Sequence, residues 1–449
     1  MKIWEDWKSY RAFQKLPPGE RGIVFYSETY QDWHHLQPLI DFLIERLSRT
    51  VCHVTSEQAV PLPSAPRSGL HAFRIRSGAV CTWFFQMLKA DVMVLTMLDL
   101  QNFQLKRSIH PVRYIYVFHS MGSTHMVDHE NSYDHYDALF CTGPHHVAEI
   151  RRREELRRLA PKHLFAYGYP RLERLVELAA AHPREPSDTV TELLAPTWGE
   201  HSILHVCGEP LIAALLDAGI HVILRPHYQT ARLAPRLVQR LVTRFGPDRR
   251  FRHVDRMEES GSLLESDLLI CDWSSMAIEY ALGLGKPVLF VDVPPRVRNP
   301  KYAELGLEPM EMRVRRELGT VLPLDRIADA PRRAAELLRG AAEFRKHSAA
   351  LRDAWAFNVG RSVEVGAREI ARIVDERAGA GASGAALHAG RRTSGETRAR
   401  EGGCSVGEAG SAFSTRRFWL GSACDTSGTT LRSSLVLPGS TQSSRSWDR

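Results

Sequence analysis

The chain reads as a two-domain α/β protein built on parallel sheets. Three observations carry that reading: short runs of β-branched and aromatic residues alternate with helical patterns, the alternation occurs in two series, and a turn-rich stretch separates them. In the first series, residues 22–26 are a strand candidate and 36–47 follow with apolar residues at helical spacing. Residues 51–55, 91–97, 113–118 and 138–142 continue it as apolar strands of the kind buried on both faces. Pro183, Pro186 and Ser187 mark the linker. Strands then resume at 193–197, 222–225, 267–271 and 287–291, with helices near 210–218, 231–245 and 274–284. An Ala-, Arg- and Leu-rich helical stretch at 327–373 closes the fold. The expected domains are 1–182 and 183–376, followed by a disordered tail over 377–449, where Gly, Ala, Ser, Thr and Arg dominate without periodicity.

Composition narrows the function classes. The 449 residues are too many for one ordinary core, and 43% hydrophobic with 25% charged residues is an ordinary globular balance. The net charge of +7 hints at a nucleic-acid partner until it is located: residues 377–449 hold ten Arg and five acidic residues, so the body is nearly neutral. No nucleic acid is expected as partner. The basic run from Arg151 to Arg158, broken by Glu154 and Glu155, reads as a solvated helix face, with a patch that leans on anionic lipid as the alternative. Seven scattered cysteines without a C-x-x-C pair argue for a reducing compartment, and no apolar run approaches the roughly 18 residues of a spanning helix. A cytoplasmic location is expected, with peripheral contact at the inner face of the membrane as an option.

Ligands of open parallel sheets sit beyond the carboxyl ends of strands, so the residues following each apolar run are the informative ones. Asp272-Trp273-Ser274-Ser275 ends a strand and opens a helix, where hydroxyls, free N–H groups and the dipole favour phosphate; a plain N-cap serine is the alternative. Arg225 and His227 flank Pro226 and offer a permanent cation and an imidazole suited to phosphoryl chemistry, or a structural salt bridge. His119 follows a strand and precedes a polar, glycine-containing loop, as a general base would. His125 and His129 have i, i+4 spacing, but no HExxH pattern accompanies them, and neither a metal nor a cofactor is expected.

Taken in order, Phe118-His119-Ser120, Gly168-Tyr169-Pro170-Arg171-Leu172-Glu173, Ala195-Pro196-Thr197-Trp198, Arg225-Pro226-His227, Asp267 through Ser275 and Gly285-Lys286-Pro287-Val288 resemble the CDP-glycerol glycerophosphotransferase family over residues 110–295. The resemblance implies a GT-B fold, two Rossmann-type domains facing a cleft, and teichoic-acid-type chemistry. It implies His119 and His227 as the catalytic pair, Ser274 and Ser275 as diphosphate ligands, and Glu279 at the donor's ribose. Arg225, Thr197 and Asp272 join the donor side, and His125, Gly168 and Arg171 fall at the cleft. Ser120 departs from the family's His-Gly motif, with glycine arriving only at Gly122. The implied partners are CDP-glycerol, or another nucleotide-diphosphate donor, and a polymer or lipid-linked acceptor. A GT-B glycosyltransferase or UDP-sugar 2-epimerase, and a non-catalytic nucleotide-binding protein, are the alternatives.

Overall fold

The computed structural model describes residues 2–393 apart from 59, 61, 63–66, 77, 99, 103–104, 184–186, 188 and 256–259; the rest of the expected tail, 394–449, lies outside the described residues. Two parallel sheets carry the chain. The first contains β1 (Ile23–Ser27), β2 (Val51–Thr55), β3 (Leu70–Arg74), β4 (Val92–Leu95), β5 (Arg113–Val117), β6 (Ala138–Cys141) and β7 (His163–Ala166), in the order β3-β2-β1-β4-β5-β6-β7. The second contains β8 (Thr191–Leu194), β9 (His221–Leu224), β10 (Phe251–His253), β11 (Leu268–Cys271), β12 (Val288–Val291) and β13 (Gly319–Leu322), in the order β10-β9-β8-β11-β12-β13. This is the two-Rossmann, GT-B architecture. Strand order reverses beside β1 and beside β8, and those switch points open crevices at carboxyl ends.

The interior strands are apolar because helices cover both sheet faces; β1, β2, β4, β11 and β12 are buried along their whole length. The four strands that the apolar-run reading does not anticipate, β3, β7, β10 and β13, are the four sheet edges. Each is partly exposed, so it lacks the continuous apolar signature. At one edge, backbone proximity selects the residue: a Cβ on Gly319 would lie 1.7 Å from Val288 O.

Two helices tie the sheets together by packing against the opposite one. The helix Pro170–Ala181 follows β7 but sends Leu172 and Leu175 into the core beneath β8 and β11. The helix Ser362–Thr393, which runs into the stretch expected as tail, returns to the first sheet through Ala367, Ile370, Ala371 and Ile373. Burying side chains of this size is worth about 1.5–3 kcal/mol each for the larger ones, so the exchange couples the two halves through their cores.

One buried group works against the fold. Glu192 on β8 is sealed, has no hydrogen-bond partner among the described residues, and is pushed up to about 8 by burial and then by Asp267. An ordinary glutamate ionises near 4.3, so below that pH both folded and unfolded states are protonated and the group is neutral to stability. Between there and about 8 only the unfolded state ionises, and stability falls as pH rises. Glu192→Gln should therefore flatten the decline of Tm between pH 5 and pH 8, with a gain of several degrees at the upper end. Parallel melting profiles for the two proteins would show that Glu192 is not held neutral.

Candidate active site

On the second-domain side, four strand ends converge. Asp272, at the end of β11, is fully buried and accepts from Thr197 N (2.8 Å) and Ile203 N (3.2 Å). Burial raises its pKa while these N–H groups lower it. Both carboxylate oxygens thus shape the loop after β8, which bears Thr197 and Trp198. Ser274 Oγ accepts from Met276 N at 3.3 Å, and Ser274 and Ser275 stand partly exposed at the start of the helical run Met276–Ile278. The run widens into a π turn over Glu279–Gly283.

Arg225, at the end of β9, is buried and donates to Ser262 Oγ at 3.0 Å, with Met276 Sδ at 3.7 Å. It stiffens the floor beneath the serines. His227 caps the helix Tyr228–Leu233: its Nδ1 accepts from Gln229 N at 3.1 Å, which assigns the neutral ring's proton to Nε2. Burial, reinforced by Arg296, pulls its pKa down to about 4. At neutral pH His227 is therefore an uncharged N–H donor.

On the first-domain side, the loop after β5 is gripped by two buried glutamates. Glu149 accepts from Thr124 N (2.6 Å) and Thr124 Oγ1 (2.7 Å), and Glu311, from beyond β12, accepts from Ser123 N (3.0 Å) and Ser123 Oγ. Gly122 is needed here, because a Cβ would lie 2.7 Å from Glu311 Oε1. His125 is buried within the same joint, 3.4 Å from Glu149 and 3.3 Å from Leu307 O, so it is a structural member of the loop. His125 and His129 do not lie on a helix, and among the described residues no three His, Cys, Asp or Glu side chains are grouped to hold a metal ion. The basic run is not wholly solvated, since Arg153 is buried and donates to Thr124 O at 2.5 Å.

His119 sits at the mouth of this loop, partly exposed, with Nδ1 3.2 Å from Tyr116 Oη. Tyr169 Oη lies 3.0 Å from the His119 carbonyl oxygen and 2.7 Å from Glu279 Oε1, and Arg171 Nε donates to Glu279 Oε2 at 2.6 Å. Glu279 is thus engaged across the domain junction. Gly168, at φ +106°, lets the returning chain pass: a Cβ there would meet Phe357 O at 2.4 Å. Behind His119 and Tyr169, His35 borders a cavity of about 600 Å³ lined also by His34, Arg171, Arg174 and Ser260.

The two halves meet in electrostatic terms at residues that the sequence reading does not single out. Arg296, beyond β12, stacks on Trp198 at 4.0 Å, and burial and then Arg298 lower it to about 10, so it stays charged. It feels Asp272, Tyr228 and Asp128, while Asp128 feels His119 and Arg298. Arg298 N and Asn299 N donate to Met126 O, and Asn299 Nδ2 to His125 O (2.9 Å), which docks the β12 loop on the β5 loop. The rule that strand carboxyl ends carry ligands, applied after β12, is the signal that finds Arg296. The strand ends of the second sheet hold a guanidinium, an imidazole N–H and a serine-bearing helix start, and the loop after β5 carries a second imidazole, residue types suited to a diphosphate and a proton acceptor.

No curated protein matches the chain by sequence. Among solved structures the chain is similar to the UDP-GlcNAc 2-epimerase of Methanocaldococcus jannaschii, solved with UDP-GlcNAc and UDP (TM-score 0.50, 13% identity, 78% of this chain and 99% of that one). It is also similar to the sucrose-phosphate synthase of Thermosynechococcus elongatus (TM-score 0.51, 13% identity, 79% and 99%). At such identities the likeness speaks to the fold alone. A family model, CDP-glycerol:poly(glycerophosphate) glycerophosphotransferase, matches residues 69–293, a span that contains His119, His227 and the helix start at Ser274 and Ser275. With half of its length matched by that model, the chain belongs to the CDP-glycerol:poly(glycerophosphate) glycerophosphotransferase family of group transferases.

Proposed function

We propose that this protein transfers a glycerophosphate unit from CDP-glycerol to a hydroxyl of a cell-envelope or capsule polymer, releasing CMP. The observation that carries the reading is the family match across both histidine-bearing strand ends. The donor's diphosphate lies against the Ser274 and Ser275 hydroxyls, His227 Nε2–H and Arg296. Arg225, Thr197 and Asp272 build the walls behind those groups, and Glu279 steadies the junction through Tyr169 and Arg171. The acceptor oxygen attacks the glycerol-bearing phosphorus, the new P–O bond forms as the bond to the CMP oxygen breaks, and the acceptor's proton passes to His119 Nε2. Fixed N–H groups and Arg296 take up the charge that develops on the leaving phosphate.

The donor is read by incubating the purified protein with CDP-glycerol and UDP-GlcNAc. CMP release is expected from the first, and UDP release or epimerisation with no CMP would overturn the donor assignment. His119→Ala should lower turnover by about 10²-fold or more with CDP-glycerol affinity nearly unchanged, whereas Ser274→Ala with Ser275→Ala should weaken donor binding measured by calorimetry.

His227 makes a separate prediction in the donor-free protein. Its ring proton resonances should titrate with a midpoint near 4, and Arg296→Ala should move that midpoint up toward the ordinary value, because a neighbouring cation disfavours imidazolium. A midpoint near 6.5 in the unaltered protein would exclude the neutral-donor role.

A polymer anchored to lipid would be reached by peripheral contact with the inner face of the membrane. No helix among the described residues is long and apolar enough to span one. The helix Lys2–Lys15 leaves Ile3 60% and Trp4 66% exposed, with the Arg11 guanidinium 5.7 Å from the Trp4 ring, an amphipathic tip suited to a headgroup layer. Trp4→Ala should lower the fraction that co-sediments with phosphatidylglycerol vesicles. Equal sedimentation of both proteins would remove this helix from the reading.

A further inference from the structure

The loop that carries His119 is held by one face of the helix Pro144–Arg157. His146, Glu149 and Arg153 recur there at i, i+3 and i+7, the spacing of a single helix face, and all three are buried. Glu149 and Arg153 grip Thr124, at the far end of the loop. His146 works at the near end. Its ring packs on Phe118, with centroids 3.9 Å apart, and its Nε2 lies 2.8 Å from the Gly122 carbonyl oxygen. It thus touches the residue before His119 and the residue three places after it.

Proton counting assigns the tautomer of this ring. A carbonyl oxygen only accepts, so the short contact with Gly122 O puts a proton on Nε2. The other side of the ring agrees independently: Thr142 N donates to Nδ1 at 3.4 Å, and Thr142 Oγ1 lies 3.2 Å from the same nitrogen. Nδ1 is an acceptor. We infer that His146 is a positioning residue for the transfer: anchored by Thr142 at one ring nitrogen and donating to Gly122 from the other, it fixes the turn that presents His119. The inference rests on the reading of His119 as base. His146 is sealed in the core, so it acts through the loop that it holds rather than on either substrate.

The turn itself is short of other anchors. Gly122 N donates to Ser120 Oγ at 3.1 Å, so with His146 on its carbonyl oxygen Gly122 is pinned through both backbone groups. Ser120 stands where the family's His-Gly motif has glycine; its hydroxyl closes the turn from within, and His146 closes it from the core. The anchoring also reaches beyond the loop. Thr142 O accepts from Phe357 N at 2.9 Å, so the returning chain, Thr142, His146 and Gly122 form one row of hydrogen bonds that ends three residues from His119. Burial, reinforced by His145, pulls the His146 pKa down to about 3. At neutral pH the ring therefore keeps one proton and one lone pair, as both of its bonds require.

Two substitutions separate the hydrogen bond from the packing. His146→Phe keeps a ring against Phe118 and removes both nitrogens, whereas His146→Gln can place an amide N–H near the Nε2 position. In the full-length protein with CDP-glycerol, His146→Phe should release CMP about 10-fold or more slowly per donor-binding site counted by calorimetry, with KM for the donor within about twofold, and His146→Gln should recover part of the rate. A merely structural role would lower the melting temperature or the number of binding sites and leave the rate per site unchanged; that result overturns the inference. Should His146→Phe fail to fold, spectra of ¹⁵N-histidine-labelled protein decide the matter. At pH 7 His146, assigned by its loss in His146→Gln, should show a protonated Nε2 and a bare Nδ1, and Thr142→Val should move the ring signals of His119, assigned through His119→Asn. A protonated Nδ1 on His146, or His119 signals unmoved in Thr142→Val, overturns the inference. Full turnover in His119→Ala would sink the base assignment, whereas a slow His119→Ala beside a full-rate His146→Phe would sink this inference alone.

Discussion

Two buried carboxylates, reaching from opposite domains to consecutive residues, hold this protein's candidate active site together. Glu149 takes the N–H and hydroxyl of Thr124, and Glu311 takes those of Ser123. Burial alone would raise Glu149, but the neighbouring imidazoles of His125, His145 and His146 outweigh it and hold the carboxylate at about 2. At Glu311 burial prevails over the bonds from Ser123 and raises the carboxyl. Both sets of contacts are buried, where removing one partner leaves the other unsatisfied and costs about 1–3 kcal/mol. The loop that presents His119 is therefore built jointly by the two domains. A polar joint of this kind specifies one geometry, which apolar packing alone would leave loose.

On the donor side the physical problem is the reverse. Anion sites need cations that are desolvated before the anion arrives. Arg296 has no carboxylate within ion-pair distance among the described residues; it rests on the Trp198 face and near Arg298, and its pKa is lowered accordingly. His227 answers the same crowding by giving up its charge and remaining an N–H donor. A diphosphate would relieve both strains, since it brings negative charge to His227 and to Arg296, where Asp272 and Asp128 do not outweigh burial. Structural cations nearby are treated differently: Arg315 pairs with Asp292 at 2.7 Å and stacks on Trp273, whose Nε1 donates to Val293 O. The contrast between Arg315 and Arg296 separates scaffold from candidate site.

How much of this was legible in the sequence follows from burial. Strands covered on both faces show themselves as apolar runs, and every interior strand was foreseen to within a few residues. The edge strands were not, because half-exposed segments such as His163–Ala166 mix polar and apolar residues like any loop. Of the site, the residues just after β5, β8, β9 and β11 stood out because the switch-point rule points there. Arg296 escaped because the segment Val293-Pro294-Pro295-Arg296 reads as a turn, and nothing local shows that its guanidinium will lie on an indole almost a hundred residues earlier. Conversely, Asp272 and Glu279 were legible as positions but not as roles, since a carboxylate engaged by N–H groups or by a tyrosine and an arginine looks, in sequence, like one turned to a ligand.

The crossing points decide what kind of motion the cleft allows. The chain leaves the first domain at Gly168 and returns through residues 356–362, and the two passages touch: Phe357 N donates to Thr142 O, Asn358 Nδ2 to Ala166 O, and Ser362 N and Oγ to Glu173. Two adjacent strands of backbone make a natural hinge. Yet rotation about it would have to pull Ser123 from Glu311 and Asn299 from the loop that bears His125, leaving buried polar groups without partners. That cost falls on the same loop that carries His119. The candidate base is thus held in place by the contacts that resist opening, and its geometry is set by the resting protein rather than assembled around a bound donor.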